Sequence, residues 1–148
     1  MWKRLLLLGS VLVPLSSALG ADGPYKFYSV VPCRILDTRA AGGGGRFALG
    51  EIRNLRIATK CGIPTAARMA ALNITVVGPA TEGHITVYPF NPADPSAVPL
   101  TSTVNWTAGE SAIANGSVVS LTNNPTYNIS VAALASLDLI IDVTAYLQ

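Results

Sequence analysis

The sequence predicts an all-β protein: one antiparallel β-sandwich, jelly-roll or immunoglobulin-like, of about nine short strands with a single disulfide. Three observations predict it. Apolar and polar residues alternate with period two over most of the chain, turn-forming residues recur at close intervals, and only two cysteines are present.

The alternation is clearest near the C-terminus. Leu137, Leu139, Ile141, Val143 and Ala145 fall on one strand face, and Asp138, Ile140, Asp142, Thr144 and Tyr146 fall on the other. Leu72, Ile74 and Val76 alternate with Asn73 and Thr75, and Ile85 and Val87 alternate with His84, Thr86 and Tyr88. No segment repeats apolar residues at helical spacing over three turns, although 65–71 has room for a brief helical turn. Strands are therefore expected near 26–31, 34–37, 51–58, 70–77, 84–89, 101–106, 112–121, 127–132 and 137–147. Between them lie Gly42-Gly43-Gly44-Gly45, Gly62-Ile63-Pro64, Gly78-Pro79, Asn91-Pro92, Asp94-Pro95, Ala108-Gly109 and Asn123-Asn124-Pro125, all strong turn signals.

Residues 1–20 read as a signal peptide. Lys3 and Arg4 precede an apolar run, and Ala18 and Gly20 stand at the −3 and −1 positions of a cleavage site between Gly20 and Ala21. The run is shorter than the roughly 20 apolar residues that span a bilayer. The expected mature chain, 21–148, is one β-sandwich domain without a membrane span, secreted to the extracellular space or the cell surface.

Lys3 and Arg4 account for the whole formal charge of +2, so residues 21–148 are formally neutral. That removes the electrostatic basis for binding nucleic acid. The charges are unevenly placed: residues 21–68 carry +5 and residues 69–148 carry −5. Either the halves neutralise each other as they interleave, or the molecule has oppositely charged ends suited to head-to-tail contact.

The two cysteines, Cys33 and Cys61, are expected to pair, because an oxidising compartment favours the disulfide. A catalytic thiol would need a neighbouring base, and the only histidine, His84, falls within a predicted strand.

A resemblance rests on Phe27-Tyr28-Ser29-Val30-Val31-Pro32-Cys33-Arg34-Ile35-Leu36-Asp37-Thr38-Arg39 and Lys60-Cys61-Gly62-Ile63-Pro64. It continues through Leu72-Asn73-Ile74-Thr75-Val76, Val104-Asn105-Trp106-Thr107-Ala108-Gly109-Glu110 and Ala114-Asn115, and ends with Ile141-Asp142-Val143-Thr144-Ala145-Tyr146. In these motifs the chain resembles an uncharacterised all-β module of secreted and surface proteins of soil bacteria. The resemblance implies a Cys33–Cys61 disulfide and an extracellular or surface setting, and it implies no particular chemistry.

No catalytic site, metal site or cofactor is expected. Asp138 and Asp142 share a strand face but lie roughly 13 Å apart at strand rise, against about 5–9.5 Å for glycosidase pairs. One histidine and no Cys-x-x-Cys leave zinc without ligands, and calcium near Asn91 and Asp94 would need several converging oxygens. The four-glycine run lacks the Gly-Lys-Ser/Thr ending of a phosphate loop. Asp37 and Arg39 form a polar spot, read either as a recognition point or as an ion pair closing a turn. Tyr88, Phe90, Trp106, Tyr127 and Tyr146 are candidate ligand contacts through stacking on sugar rings, although Trp106 is in register with Val104 and so suits a core. Asn73, Asn105, Asn115 and Asn128 head Asn-x-Ser/Thr triplets and fall on faces expected to be polar, which would admit N-glycosylation.

These readings point to a non-enzymatic secreted domain. It would act as a structural, self-associating or adhesive surface module with itself as partner, in an oligomer or filament. The alternative is a module that binds cell-wall or environmental polysaccharide, and a small extracellular hydrolase is the minor one. An uncharged open edge strand, together with opposite charge at the two ends, would favour assembly.

Overall fold

The structure is a computed structural model, and it describes residues 24–148. The expected signal peptide and its Gly20/Ala21 cleavage site lie outside the described residues. Eight strands follow one another: β1 (Phe27–Asp37), β2 (Ile52–Leu55), β3 (Met69–Val77), β4 (Gly83–Pro89), β5 (Val104–Trp106), β6 (Ala112–Ser120), β7 (Ile129–Ala133) and β8 (Asp138–Leu147). They form two antiparallel sheets, ordered β1-β8-β3-β6 and β2-β7-β4-β5. Successive strands cross from sheet to sheet except between β4 and β5. Of the two topologies the sequence left open, this is the jelly roll. Among the described residues, no helix is long and apolar enough to cross a membrane.

The predicted alternation builds the core. Leu72, Ile74 and Val76 of β3 and Leu139, Ile141 and Val143 of β8 point inward. Ile85 and Val87 of β4 and Ile129, Val131 and Ala133 of β7 meet them from the facing sheet. Each such aliphatic side chain contributes about 1.5–3 kcal/mol by leaving water. Phe47 and Trp106 join the same cluster.

The structure departs from the expected pattern in three places. First, 26–31 and 34–37 are one strand, β1, with register shifts between Ser29 and Cys33 and between Arg34 and Leu36. Pro32 is tolerated there because β1 is an edge strand and needs no donor on its open side. The count among the described residues is therefore eight, not nine. Second, a shift between Ala71 and Leu72 in the β3–β8 ladder sets Tyr146 opposite Ala70, which is fully buried. Tyr146 consequently packs against the core instead of standing on the polar face. Third, residues Ile85 to Tyr88 of β4 are all buried, because the 91–103 loop covers the outer face of the second sheet. Thr86 Oγ1 donates to Thr101 O (2.5 Å), and Val87 N donates to Thr103 Oγ1 (2.8 Å). The helical turn considered near 65–71 is a single turn, Ala67 N to Pro64 O (3.1 Å), ahead of β3.

Cys33 and Cys61 form the disulfide, with Cα atoms 5.9 Å apart. It pins β1 to the turn after β2, where Thr59 (φ 72°) and Cys61 (φ 53°) take the left-handed conformation that side chains rarely adopt. Thr59 N to Ile63 O (2.8 Å) closes this turn.

Candidate functional site

The polar spot expected at Asp37 and Arg39 is part of a larger ion-pair plate on the outer face of the first sheet. Arg39 donates Nε and Nη2 to Asp37 Oδ1 and Oδ2 (both 2.9 Å) and its backbone N to Oδ1 (3.1 Å). Arg34 donates Nη1 to Asp37 Oδ2 (3.1 Å) and Nε to Asp142 Oδ1 (2.9 Å). The Arg39 hydrogen bonds hold the Asp37 carboxyl far below the usual carboxylate range. With its neighbours satisfied by one another, the spot behaves as the closure of a turn.

Two further clusters do the same work, and residue order alone did not reveal them. Arg46 Nη1 reaches Asp138 Oδ2 (2.8 Å), and its Nη2 donates to Gly78 O. Buried Thr38 donates to Asp138 Oδ1 (2.9 Å) and accepts from Leu139 N (3.0 Å). Arg53 pairs with Glu51 (2.6 Å), donates to Gly45 O (2.7 Å) and lies 3.9 Å over the Phe47 ring. Asp138 and Asp142 are thus each engaged by a different arginine.

The candidate ligand aromatics do not form one strip. Trp106 is 5% exposed and donates Nε1 to Thr81 O (2.7 Å), so it is a core residue and presents no face to a sugar. Tyr88 and Phe90 are buried as well. Among the described residues the Tyr88 hydroxyl has no hydrogen-bond partner, and burial raises its pKa. Tyr127 is 38% exposed but meets Phe90 edge-on at 5.3 Å, while Tyr146 stacks under Tyr28 at 5.0 Å.

The four sequon asparagines also divide. Asn105 and Asn115 are exposed and Asn73 is half-buried, but Asn128 is 4% exposed, contrary to its expected place on a polar face. Asn128 Oδ1 accepts from Ile57 N (2.9 Å) and Ala58 N (2.8 Å), and its Nδ2 donates to Thr122 O (3.0 Å). It is a buried brace between the turn after β2 and the start of β7, with no room for a glycan. Asn91 and Asp94 each accept a backbone N–H two residues on, Ala93 N and Ser96 N (both 3.1 Å), and so close their own turns.

A cleft of about 610 Å³ opens between β1 and β2. It is lined by Arg34, Asp37, the glycine loop, Arg53, Asn54 and Lys60. Arg34 and Arg53 are committed to the pairs above, which leaves the exposed Lys60 ammonium as its uncommitted charge. A second cleft, under residues 98–102, is lined by His84 and Asn105 and by no carboxylate.

The remaining charges sort by position. Among the described residues, Lys26, Arg56, Lys60 and Arg68 make no ion pair. Backbone bonds gather the Lys26 and Arg68 segments at one end of the sandwich: Arg68 N to Leu147 O (2.8 Å), Lys26 N to Gln148 O (2.8 Å) and Leu121 N to Arg68 O (2.7 Å). Asn128 ties Ile57 and Ala58, next to Arg56, to the start of β7 at this same end, whereas Lys60, beside the Cys61 bonded to Cys33, lines the cleft between β1 and β2. Asp94, on the loop leaving β4, is the carboxylate on that side; it accepts from Ser96 Oγ (2.7 Å), as Glu110 accepts from Thr107 Oγ1 (2.9 Å), and makes no ion pair among the described residues. Glu82 and Glu110, also without ion pairs among the described residues, lie at the opposite end. There Gly78 N bonds Ser111 O (2.8 Å) and Ala80 N bonds Ser136 O (2.9 Å). Comparison of the chain with protein-family models, curated proteins and solved structures finds no match to any of them.

Proposed function

We propose that this chain is a non-enzymatic, secreted contact domain that associates with copies of itself at the cell surface or outside the cell. The observation that carries this reading is the separation of uncompensated charge along the strand axis. Among the described residues, Lys26, Arg56 and Arg68 stand at one end with the single carboxylate Asp94, Glu82 and Glu110 stand at the other, Lys60 lies in the cleft between β1 and β2, and the remaining charges are mutually paired. Opposite ends attract one another and like ends repel, so the favoured contact is heterologous and propagates if it does not close. The resemblance to a surface module and the Cys33–Cys61 disulfide agree with an oxidising, extracellular setting.

Light scattering on the exported chain tests this. Mass should rise with protein concentration in dilute buffer and fall as salt screens the ends, the Debye length shrinking from about 30 Å at 0.01 M to about 3 Å at 1 M. A single monomer mass under all of these conditions would remove the reading. The second reading, a polysaccharide-binding module, is supported by the cleft between β1 and β2 with its free Lys60. It predicts retention of the monomer on an acidic polysaccharide, lost in Lys60→Ala.

A further inference from the structure

Four strands form the sheet edges: β1 and β6 in one sheet, β2 and β5 in the other. Proteins ordinarily protect such edges with charge, proline, bulges or shortness. β1 carries Pro32, Arg34, Asp37 and two register shifts. β2 has four residues, including Arg53, and β5 has three. β6 has none of these devices: it runs nine residues without charge or proline and pairs with β3 from end to end without a shift. A side-chain bond, Asn115 Nδ2 to Thr103 O (2.8 Å), links it to the residue before β5, and no backbone ladder joins the two strands.

The sequence of β6 is complementary to itself when reversed about Gly116. Asn115 then faces Ser117, Ala114 faces Val118, Ile113 faces Val119 and Ala112 faces Ser120. Apolar side chains meet apolar ones at 113/119 and 114/118, Asn115 meets Ser117, and only the terminal Ala112–Ser120 pair is mixed, which is how cross-strand pairs stabilise a ladder. Val118, 58% exposed, would be covered by the pairing. Antiparallel pairing also reverses one molecule relative to the other. The Arg68 end of each copy is thereby set beside the Glu82 and Glu110 end of its neighbour, so the charges complement.

We propose that β6 is an interface for a second copy of this chain, paired antiparallel about Gly116, so that two four-stranded sheets continue as one of eight. This rests on the self-association reading and assigns its surface. Backbone hydrogen bonds hold this contact, so it should persist in salt that dissolves end-to-end growth.

Gly116 offers the test. A Cβ built there meets no heavy atom within 4 Å, and its φ is not in the positive range, so the monomer tolerates a side chain. Directly opposed residues of an antiparallel pair have Cα atoms about 4.5–5.5 Å apart, within the roughly 4.4–6.8 Å a disulfide spans. In about 1 M salt, where the Debye length is about 3 Å, the exported wild-type chain should be a dimer. Gly116→Cys should become a covalent dimer on mild oxidation, and Val31→Cys, also exposed but on the β1 edge, should not. Gly116→Lys, which opposes two long charged side chains, should stay folded by circular dichroism and dimerise more weakly than wild type there. If Gly116→Cys does not cross-link, or Gly116→Lys dimerises as tightly as wild type, the β6 interface is overturned. Should salt-sensitive growth continue in that case, self-association itself survives. A wild-type chain that is monomeric in both low and high salt overturns both.

Discussion

Two parts of this sandwich are held together by different forces. Between Cys33 and Ile63 the chain makes the end of β1, the short β2 and several turns, and it is tied by the disulfide, by Arg34, Arg39 and Asp37, by Arg53 on Glu51 and Phe47, and by the Asn128 brace. Around β3, β8, β7 and β4 few polar links reach inward, and the holding force is the burial of Leu72, Ile74, Ile85, Val131, Leu139 and Ile141. The first part therefore responds to redox state and pH, whereas the second responds to lost side-chain volume. Phe47, Ile57 and Ile63 of the first part are buried in the same core, so there the specific bonds add to apolar burial and fix the turns between those anchors.

The largest effect is expected from the second part. Ile141→Ala should lose about 2–5 kcal/mol in denaturant unfolding, the usual range for a large aliphatic side chain deleted from a packed core. The loss should be the same with and without reductant; a loss that vanished on reduction would mean the two parts are not separately held. Replacing Cys33 and Cys61 together by Ser opens a loop with a sequence separation of 28. It should cost about 3–4 kcal/mol, and proteolysis should then cut first in the 56–63 turn. Asn128→Ala leaves the buried Ile57 and Ala58 donors unpaired and should cost about 1–3 kcal/mol, seen as a lower melting temperature.

The smallest expected effect is on pH dependence. Arg39 holds Asp37 below its ordinary pKa, so Asp37 contributes stability above about pH 4 that is lost as the pH falls toward its lowered folded value. Asp37→Asn should flatten that acid limb of melting temperature against pH and leave the neutral limb parallel to wild type. An unchanged acid limb would show that the plate does not couple to folding.

Much of the second part was legible in the sequence, because a strand with one face in a core writes that face as every second residue, as in Leu137 to Val143. The first part was less legible. Pro32 looked like the end of a strand, but an edge strand can bulge past it. Tyr146 changed faces because the shift between Ala71 and Leu72 depends on how two strands meet, which no single segment records. Asn128 looked like an exposed sequon because its partners, Ile57 and Ala58, are 71 and 70 residues away. Likewise, the imbalance between residues 21–68 and 69–148 was visible at once. Which charges cancel, and which stay open at the two ends, required pairs such as Arg34 with Asp142 and Arg46 with Asp138, each formed across the fold.

The claim that copies meet through oppositely charged ends is tested most directly by mixing two charge-reversed proteins in dilute buffer and following mass by light scattering. One carries Glu82→Lys and Glu110→Lys, so both its ends are positive. The other carries Lys26→Glu and Arg68→Glu, so both its ends are negative. Alone, neither should grow beyond a dimer, and the mixture should recover the large, salt-sensitive species of wild type. If each variant assembles alone as wild type does, or if wild type forms no large species that salt dissolves, the account is contradicted.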